Sequence, residues 1–398
     1  MPFPPVGGDR FRVFHFLRTA SEAGHEVHLV TFDRAVPPRS EIAPLDRLLA
    51  SIRVVPLPRI VSLWRAAQAL PGTLPLQAAY YRSGSMRRRV GEVLSRVRPD
   101  VVYTHLFRMA PYATERMGQH RARWILDLTD VISAGIERSL PFRRGIDLRV
   151  YREEMKRIRQ YEQTIAPRFS ECWVISDAER ESLLSIAPNA NVRVVPNGLG
   201  PEPFHPNGPR ERARLLFLGY QEVFHNRDAA RFLVQEVFPR VRAMEPDASL
   251  DIAGRGAESL GAAARGDGVR IVGYVPRLED ALMHATVFVA PHRFAAGVQN
   301  KVVQALASGT PVVSTPIVRQ GLMPMPDDVM RVGEGAQAIA EEIVQLIRNP
   351  AEAAALGAKG RDWARSHFSW TVAREALESN GNTKEPARAT ITAVPAGV

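Results

Sequence analysis

The residues best equipped for chemistry lie between His292 and Ser314, in the stretch HRFAAGVQNKVVQALASGTPVVS. A strand reading TVFVAP precedes it, and PVVST follows as another. Between them Arg293 leads into the small-residue turn Ala295-Ala296-Gly297, and a helix predicted over 300–307 carries Lys301. The amides around Gly297 and Val298, the positive dipole end of that helix and two flanking cations suit a diphosphate. Gln304 falls three residues beyond Lys301, on nearly the same helix face. Ser308-Gly309-Thr310-Pro311 then stops the helix and turns the chain into the next strand. A second small-residue loop, Pro5-Val6-Gly7-Gly8-Asp9, precedes the first predicted helix, so backbone N–H groups at Gly7 and Gly8 could face a phosphate.

Two arrays of elements must position these loops. Strand-like runs occur at 25–32, 52–57, 100–105, 123–129, 171–176 and 191–196, with helical periodicity at 11–23, 85–97 and 150–166 between them. They are short, β-branched and continuously apolar, as parallel strands covered on both faces should be. The linker-like PNGLGPEPFHPNGP follows, and the pattern restarts with strands at 214–219, 249–254, 269–274, 286–291, 311–315 and 329–333. This reads as α/β with two doubly wound Rossmann-like domains facing across a cleft. The expected domains are 1–196 and 197–369, with 370–380 returning to the first and a disordered tail at 381–398. No strand precedes the first helix, although the first strand of such a domain is normally central. A misassigned start is the favoured explanation of that gap.

Composition narrows the function classes. The chain has 398 residues, too many for one core, and a single cysteine, Cys172, which excludes a disulfide framework and a cysteine-rich metal site. No secretory signal or spanning segment is read, and a cytoplasmic location is expected. Residues 1–196 hold 30 Lys and Arg against 20 Asp and Glu, whereas 197–398 hold 22 of each. The net charge of +10 therefore belongs to the first half. That basic half suits an anionic membrane or a phosphorylated substrate. Nucleic-acid binding would leave the neutral half without a role, so no nucleic acid is expected.

The stretch from His292 to Ser314 resembles the donor-site signature of glycosyltransferase family 4, the glycosyl transferases group 1 with the GT-B fold. PFPPVGGDRFR, HEVHLVTF, WVISDAERESL, VVPNGL, LLFLGY, DIAGRG, VGYV and FSWTVAREAL are similar to further segments of that family, nearest to sugar transferases of bacterial exopolysaccharide and exosortase-associated loci. The resemblance implies a retaining transfer of sugar from a nucleotide-diphosphate donor to a glycan or lipid-linked acceptor, at the inner membrane face and without a metal or resident cofactor. It places Gln304 at the nucleotide ribose, where the family carries a carboxylate, and Ala296 where a second acid usually stands. Arg293 and Lys301 take the diphosphate, and Tyr274, in VGYV, belongs with the nucleotide. The family often has a histidine after its fifth strand. In ILDLTDVISA the replacement is Asp130, with Asp127 second and His105 a further candidate, each also readable as a structural residue. The missing acids motivate a rival reading, a catalytically silent protein of the same fold that binds a glycan or a partner. Within enzymes the nearest rival is a two-domain nucleotide-sugar epimerase. It would need acid and base on both sides of the sugar, and Ala296 argues against that.

Overall fold

The computed structural model describes the chain except residues 6–7, 35–37, 201–210, 265, 276–277, 295–296, 323, 380–387 and 394–398. The chain divides into two compact units, Met1–Gly198 with Trp370–Val398, and Leu199–Ser369. In the first, β1 (Glu26–Asp33), β2 (Ser51–Pro56), β3 (Val101–His105), β4 (Arg123–Thr129), β5 (Glu171–Val174) and β6 (Val192–Val194) alternate with helices. In the second are β7 (Arg214–Leu218), β8 (Ser249–Ala253), β9 (Val269–Gly273), β10 (Val287–Ala290), β11 (Val312–Ser314) and β12 (Arg331–Val332). Each strand expected from the sequence is present, shifted or trimmed by a few residues at its ends. Side chains alternate between the two faces of the first sheet. Val102, Trp124 and Leu126 enter one core, while Tyr103, Ile125 and Trp173 enter the other. Burial on both faces is why these strands read as unbroken apolar runs.

One expectation fails in the tail. Within 381–398, expected to be disordered, Arg388–Ala393 forms β13, and the first sheet has the order β2-β1-β13-β3-β4-β5-β6. β13 runs parallel to both neighbours, pairing Glu26 with Arg388 on β1 and Val101 with Ala389 on β3. It takes the central position for which the sequence shows no strand ahead of the first helix. Two facing rows of peptide N–H and C=O groups need partners there, and the β-branched run Thr390-Ile391-Thr392 can extend between them.

The strand ends of this unit are tied by a buried ion pair. Arg12, from the helix Gly8–Glu22, donates from Nε to Asp127 Oδ2 at 2.6 Å and from Nη2 to Oδ1 at 3.0 Å. Its Nη1 donates to Val195 O at 2.9 Å and to Asn197 Oδ1 at 2.8 Å. The Tyr103 hydroxyl donates to the same carboxylate. Burial alone would raise the Asp127 carboxyl, but Arg12 and His105 beside it hold it well below the usual range. One side chain thus joins the first helix, β4 and the segment leaving β6. Arg12→Met should cost about 3–5 kcal/mol, because Asp127 would remain buried without its counter-charge. Urea denaturation measures this, and adding Asp127→Asn should recover part of the loss.

Candidate functional site

The second sheet has the order β12-β11-β10-β7-β8-β9. β7 comes first in the chain, with β8 on one side and β10 on the other, so the strand order reverses between β7 and β10. Loops leaving the carboxyl ends of those two strands diverge, and ligands of such sheets bind in the crevice between them. The loop after β10 begins at Pro291, and the loop after β7 leads into the helix Phe224–Phe232. Side chains bridge the two. His292 Nε2 lies 3.2 Å from Asn226 Oδ1, the His225 and His292 rings are 5.8 Å apart, and the Phe224 and Phe294 rings are 5.2 Å apart.

The helix Asn300–Ala307 is fixed at both ends. At its start, Gly297 has a left-handed φ of 53°, and Gly321 leaves room for this turn, since a Cβ there would meet Gly297 O at 2.6 Å. The helix opens without a side-chain cap. At its end, Gly309 N donates to Leu306 O at 2.8 Å and Thr310 N to Ala305 O at 3.0 Å. These paired bonds make a Schellman ending, for which Gly309, with φ 72°, is suited. The helix Pro350–His367 packs closely here, because a Cβ on Gly357 would lie 2.2 Å from Gly309 O.

The charge around this helix start is unbalanced. Lys301 has no ion pair among the described residues, and burial pushes its pKa from the ordinary 10.5 down to about 8. His225 is pushed down to about 4, first by burial and then by Lys301. Burial, His225 and Lys301 hold His292 well below its ordinary value. Asp228, on the same helix as His225, is engaged by Arg293, whose Nε donates to Oδ2 at 3.0 Å. Three basic groups therefore converge without a compensating carboxylate among the described residues, an arrangement that an arriving anion would relieve. Gln304 is part-exposed one turn beyond Lys301, and its side-chain amide makes no hydrogen bond among the described residues.

The remaining candidates are distributed as follows. Val298 is buried beside Gly297 in the same loop. Arg293 is half-exposed, but it already carries Asp228 and lies 5.2 Å from the Phe232 ring centroid, so its charge is balanced before any ligand arrives. Tyr274, half-exposed, follows β9, and the Arg255 guanidinium lies 5.8 Å from its ring centroid and 5.9 Å from that of Tyr220. In the first unit Gly7 falls outside the described residues, and Gly8 opens the first helix. Asp130, just beyond β4, has one buried carboxylate oxygen with no hydrogen-bond partner among the described residues; burial, then Glu179 and Asp9, push its pKa well up. His105 needs correction as a candidate for contact with substrate. It is fully buried, 3.6 Å from Asp127 and stacked 6.2 Å from Tyr103, so it packs the buried ion pair. Asp127 is likewise consumed by Arg12 and Tyr103. Sequence reasoning missed His225 and Asp228 as partners of the site. Their position just after the first strand of the second array was the available signal.

Sequence comparisons address both units. A model of glycosyl transferases group 1 matches residues 212–349, and a model of the glycosyl transferase 4-like domain matches residues 7–198. No curated protein matches the chain. Among solved structures, sucrose-phosphate synthase from Thermosynechococcus elongatus is similar at 19% identity, with 94% of this chain and 92% of that one covered and a TM-score of 0.70. HepE of Anabaena in complex with UDP is similar at 11% identity, covering 89% and 98%, with a TM-score of 0.63. WaaG, a glycosyltransferase involved in lipopolysaccharide biosynthesis, is similar at 14% identity, covering 95% and 97%, with a TM-score of 0.62.

The depressed Lys301 has a stability consequence. Its folded pKa near 8 lies below the unfolded 10.5, so around neutral pH the charged form is disfavoured by folding. Stability should rise with pH between those values, where the unfolded chain binds more protons. Lys301→Met should therefore stabilise the protein at pH 7 by about 1–2 kcal/mol, and the gain should shrink above pH 8. Denaturant titrations at both pH values read this directly.

Proposed function

We propose that this chain, which belongs to the group 1 glycosyltransferases and is a glycosyltransferase of GT-B fold, takes its sugar from a nucleotide-diphosphate donor held at the start of the helix Asn300–Ala307. The observation that carries this reading is Lys301, an ammonium without a counter-charge among the described residues, at the point where the strand order reverses. The ammonium and the amides of the helix start face a diphosphate. As the sugar–phosphate bond lengthens, the leaving diphosphate gains charge that these fixed groups stabilise. His225 and His292 become better donors as that charge grows, since an anion offsets the depression that Lys301 and burial impose. Arg293 acts through Asp228 to hold the helix Phe224–Phe232 against this loop.

Gln304 accepts from one ribose hydroxyl and donates to another, and Tyr274 with Arg255 offers a flat, half-open surface to the base. The amide is a weaker ribose ligand than a carboxylate by about 1–2 kcal/mol. The reaction proceeds with retention at the anomeric carbon. The acceptor hydroxyl attacks the face the diphosphate leaves, and a diphosphate oxygen takes its proton. No resident cofactor or metal ion is required, because Lys301 and the helix start supply the positive charge. In the first unit, Asp130, whose pKa is raised by burial and by Glu179 and Asp9, is the candidate hydrogen-bonding group for the acceptor. The acceptor is a glycan or lipid-linked glycan of cell-surface or exopolysaccharide synthesis at an anionic membrane, to which the basic first half is attracted.

Calorimetric titration with UDP-, ADP- and GDP-sugars tests the donor reading. One of these should bind the wild type, and Lys301→Ala should remove the binding without lowering the melting temperature. Unchanged affinity in Lys301→Ala would overturn the site. A wild type that binds no nucleotide sugar would favour the silent, glycan-binding reading. Gln304→Glu should tighten donor binding by about tenfold, matching the 1–2 kcal/mol above. Weaker binding in that variant would place Gln304 away from the ribose.

A further inference from the structure

The helix Arg59–Gln68 has its polarity inverted. Its one buried residue is Ser62, while Ile60, Leu63 and Trp64 are 83%, 58% and 62% exposed. Those three recur at the spacing of one helix face, and Val61 and Leu70 are exposed beside them. A soluble helix turns such a stripe inward. Here the stripe points outward, and Ser62 alone of the helix is buried.

The neighbouring long helix Gly145–Ile165 repeats the feature at its start, where Ile146 is 81% exposed and Val150 is exposed as well. The two helices are tied together, since Arg157 donates to Ala69 O at 3.2 Å and to Leu70 O at 2.7 Å. The apolar positions are interleaved with cations. Arg59 and Arg65 lie on the first helix, and Arg144, Arg149 and Arg152 lie at or near the start of the second. Residues 51–159 hold 21 Lys and Arg against 9 Asp and Glu. An exposed apolar stripe with a tryptophan, set among arginines, matches the requirements of a headgroup interface. The aliphatic side chains enter the acyl boundary, the indole sits at headgroup level and the guanidinium groups meet anionic lipid. A partner helix or second copy would satisfy the stripe but would leave this cationic surplus unanswered. Among the described residues no helix is long and apolar enough to cross a membrane.

We infer that the helix Arg59–Gln68, with Ile146 and Val150, is the surface by which the protein lies on an anionic bilayer. This deepens the membrane part of the proposed function and rests on that part alone, not on the donor site. The test is flotation with vesicles of phosphatidylcholine, with and without about a third phosphatidylglycerol, on wild type and on the paired variant Leu63→Glu and Trp64→Glu. Both side chains are exposed, so the melting temperature should be unchanged, and Leu63→Ser with Trp64→Ser serves as a second pair if it is not. The wild type should float with the anionic vesicles and be at least about tenfold weaker on the neutral ones. The variant should lose about tenfold or more on the anionic vesicles while its nucleotide-sugar affinity stays at the wild-type value. Equal flotation of variant and wild type, or binding that ignores phosphatidylglycerol, would overturn the inference. So would a wild-type dimer, seen by sedimentation, that the variant dissociates. Donor affinity is read separately, so a wild type that binds the donor but does not float with anionic vesicles sinks only the membrane surface.

Discussion

A single uncompensated ammonium organises the second unit. Lys301 lies at the start of a short helix where burial lowers its pKa, and no carboxylate answers it among the described residues. Keeping a charge in that state costs stability, and the surrounding structure is built to hold it there. The strand order reverses beside it, the Schellman ending fixes the far end of its helix, and Gly357 lets a second helix pack tightly against that ending. Two histidines kept near neutral add donors without adding a counter-charge. Each feature favours an anion as the missing partner.

The first unit uses charge in the opposite way. Arg12 and Asp127 are buried together, each with its hydrogen-bonding groups satisfied by the other and by Tyr103, Val195 and Asn197. That pairing specifies how the first helix meets the sheet and leaves Asp127 nothing to offer a substrate. Asp130, three residues later, instead has a buried oxygen without a hydrogen-bond partner among the described residues, and a raised pKa. The difference between the two aspartates is one of partners, which composition and spacing do not display.

Much of this was legible in the sequence because it follows from period and punctuation. The strands of both arrays, the helix Asn300–Ala307 and its glycine stop were readable as apolar runs bounded by turn residues. So was Gln304 on the face of Lys301. What depends on long-range pairing was not. Arg293 looked like a free cation until Asp228, 65 residues earlier, was placed beside it. His105 looked like a strand-end histidine until Tyr103 and Asp127 enclosed it. The strand Arg388–Ala393 was missed because six residues after a polar stretch carry no periodic signal; only the vacant central position between β1 and β3 selects them. The helix Arg59–Gln68 was missed for a different reason. Its stripe is periodic but points outward, so it was not needed to account for the core.

The central claim is that a donor diphosphate binds at Lys301, and proton linkage tests it most directly. Calorimetry of nucleotide-sugar binding near pH 8.5, in two buffers of different ionisation enthalpy, counts the protons taken up. With a free pKa of about 8 and an anion holding the bound ammonium charged, binding should take up roughly three-quarters of a proton, and Lys301→Met should abolish both uptake and binding. Binding of undiminished strength with no proton uptake would contradict the account.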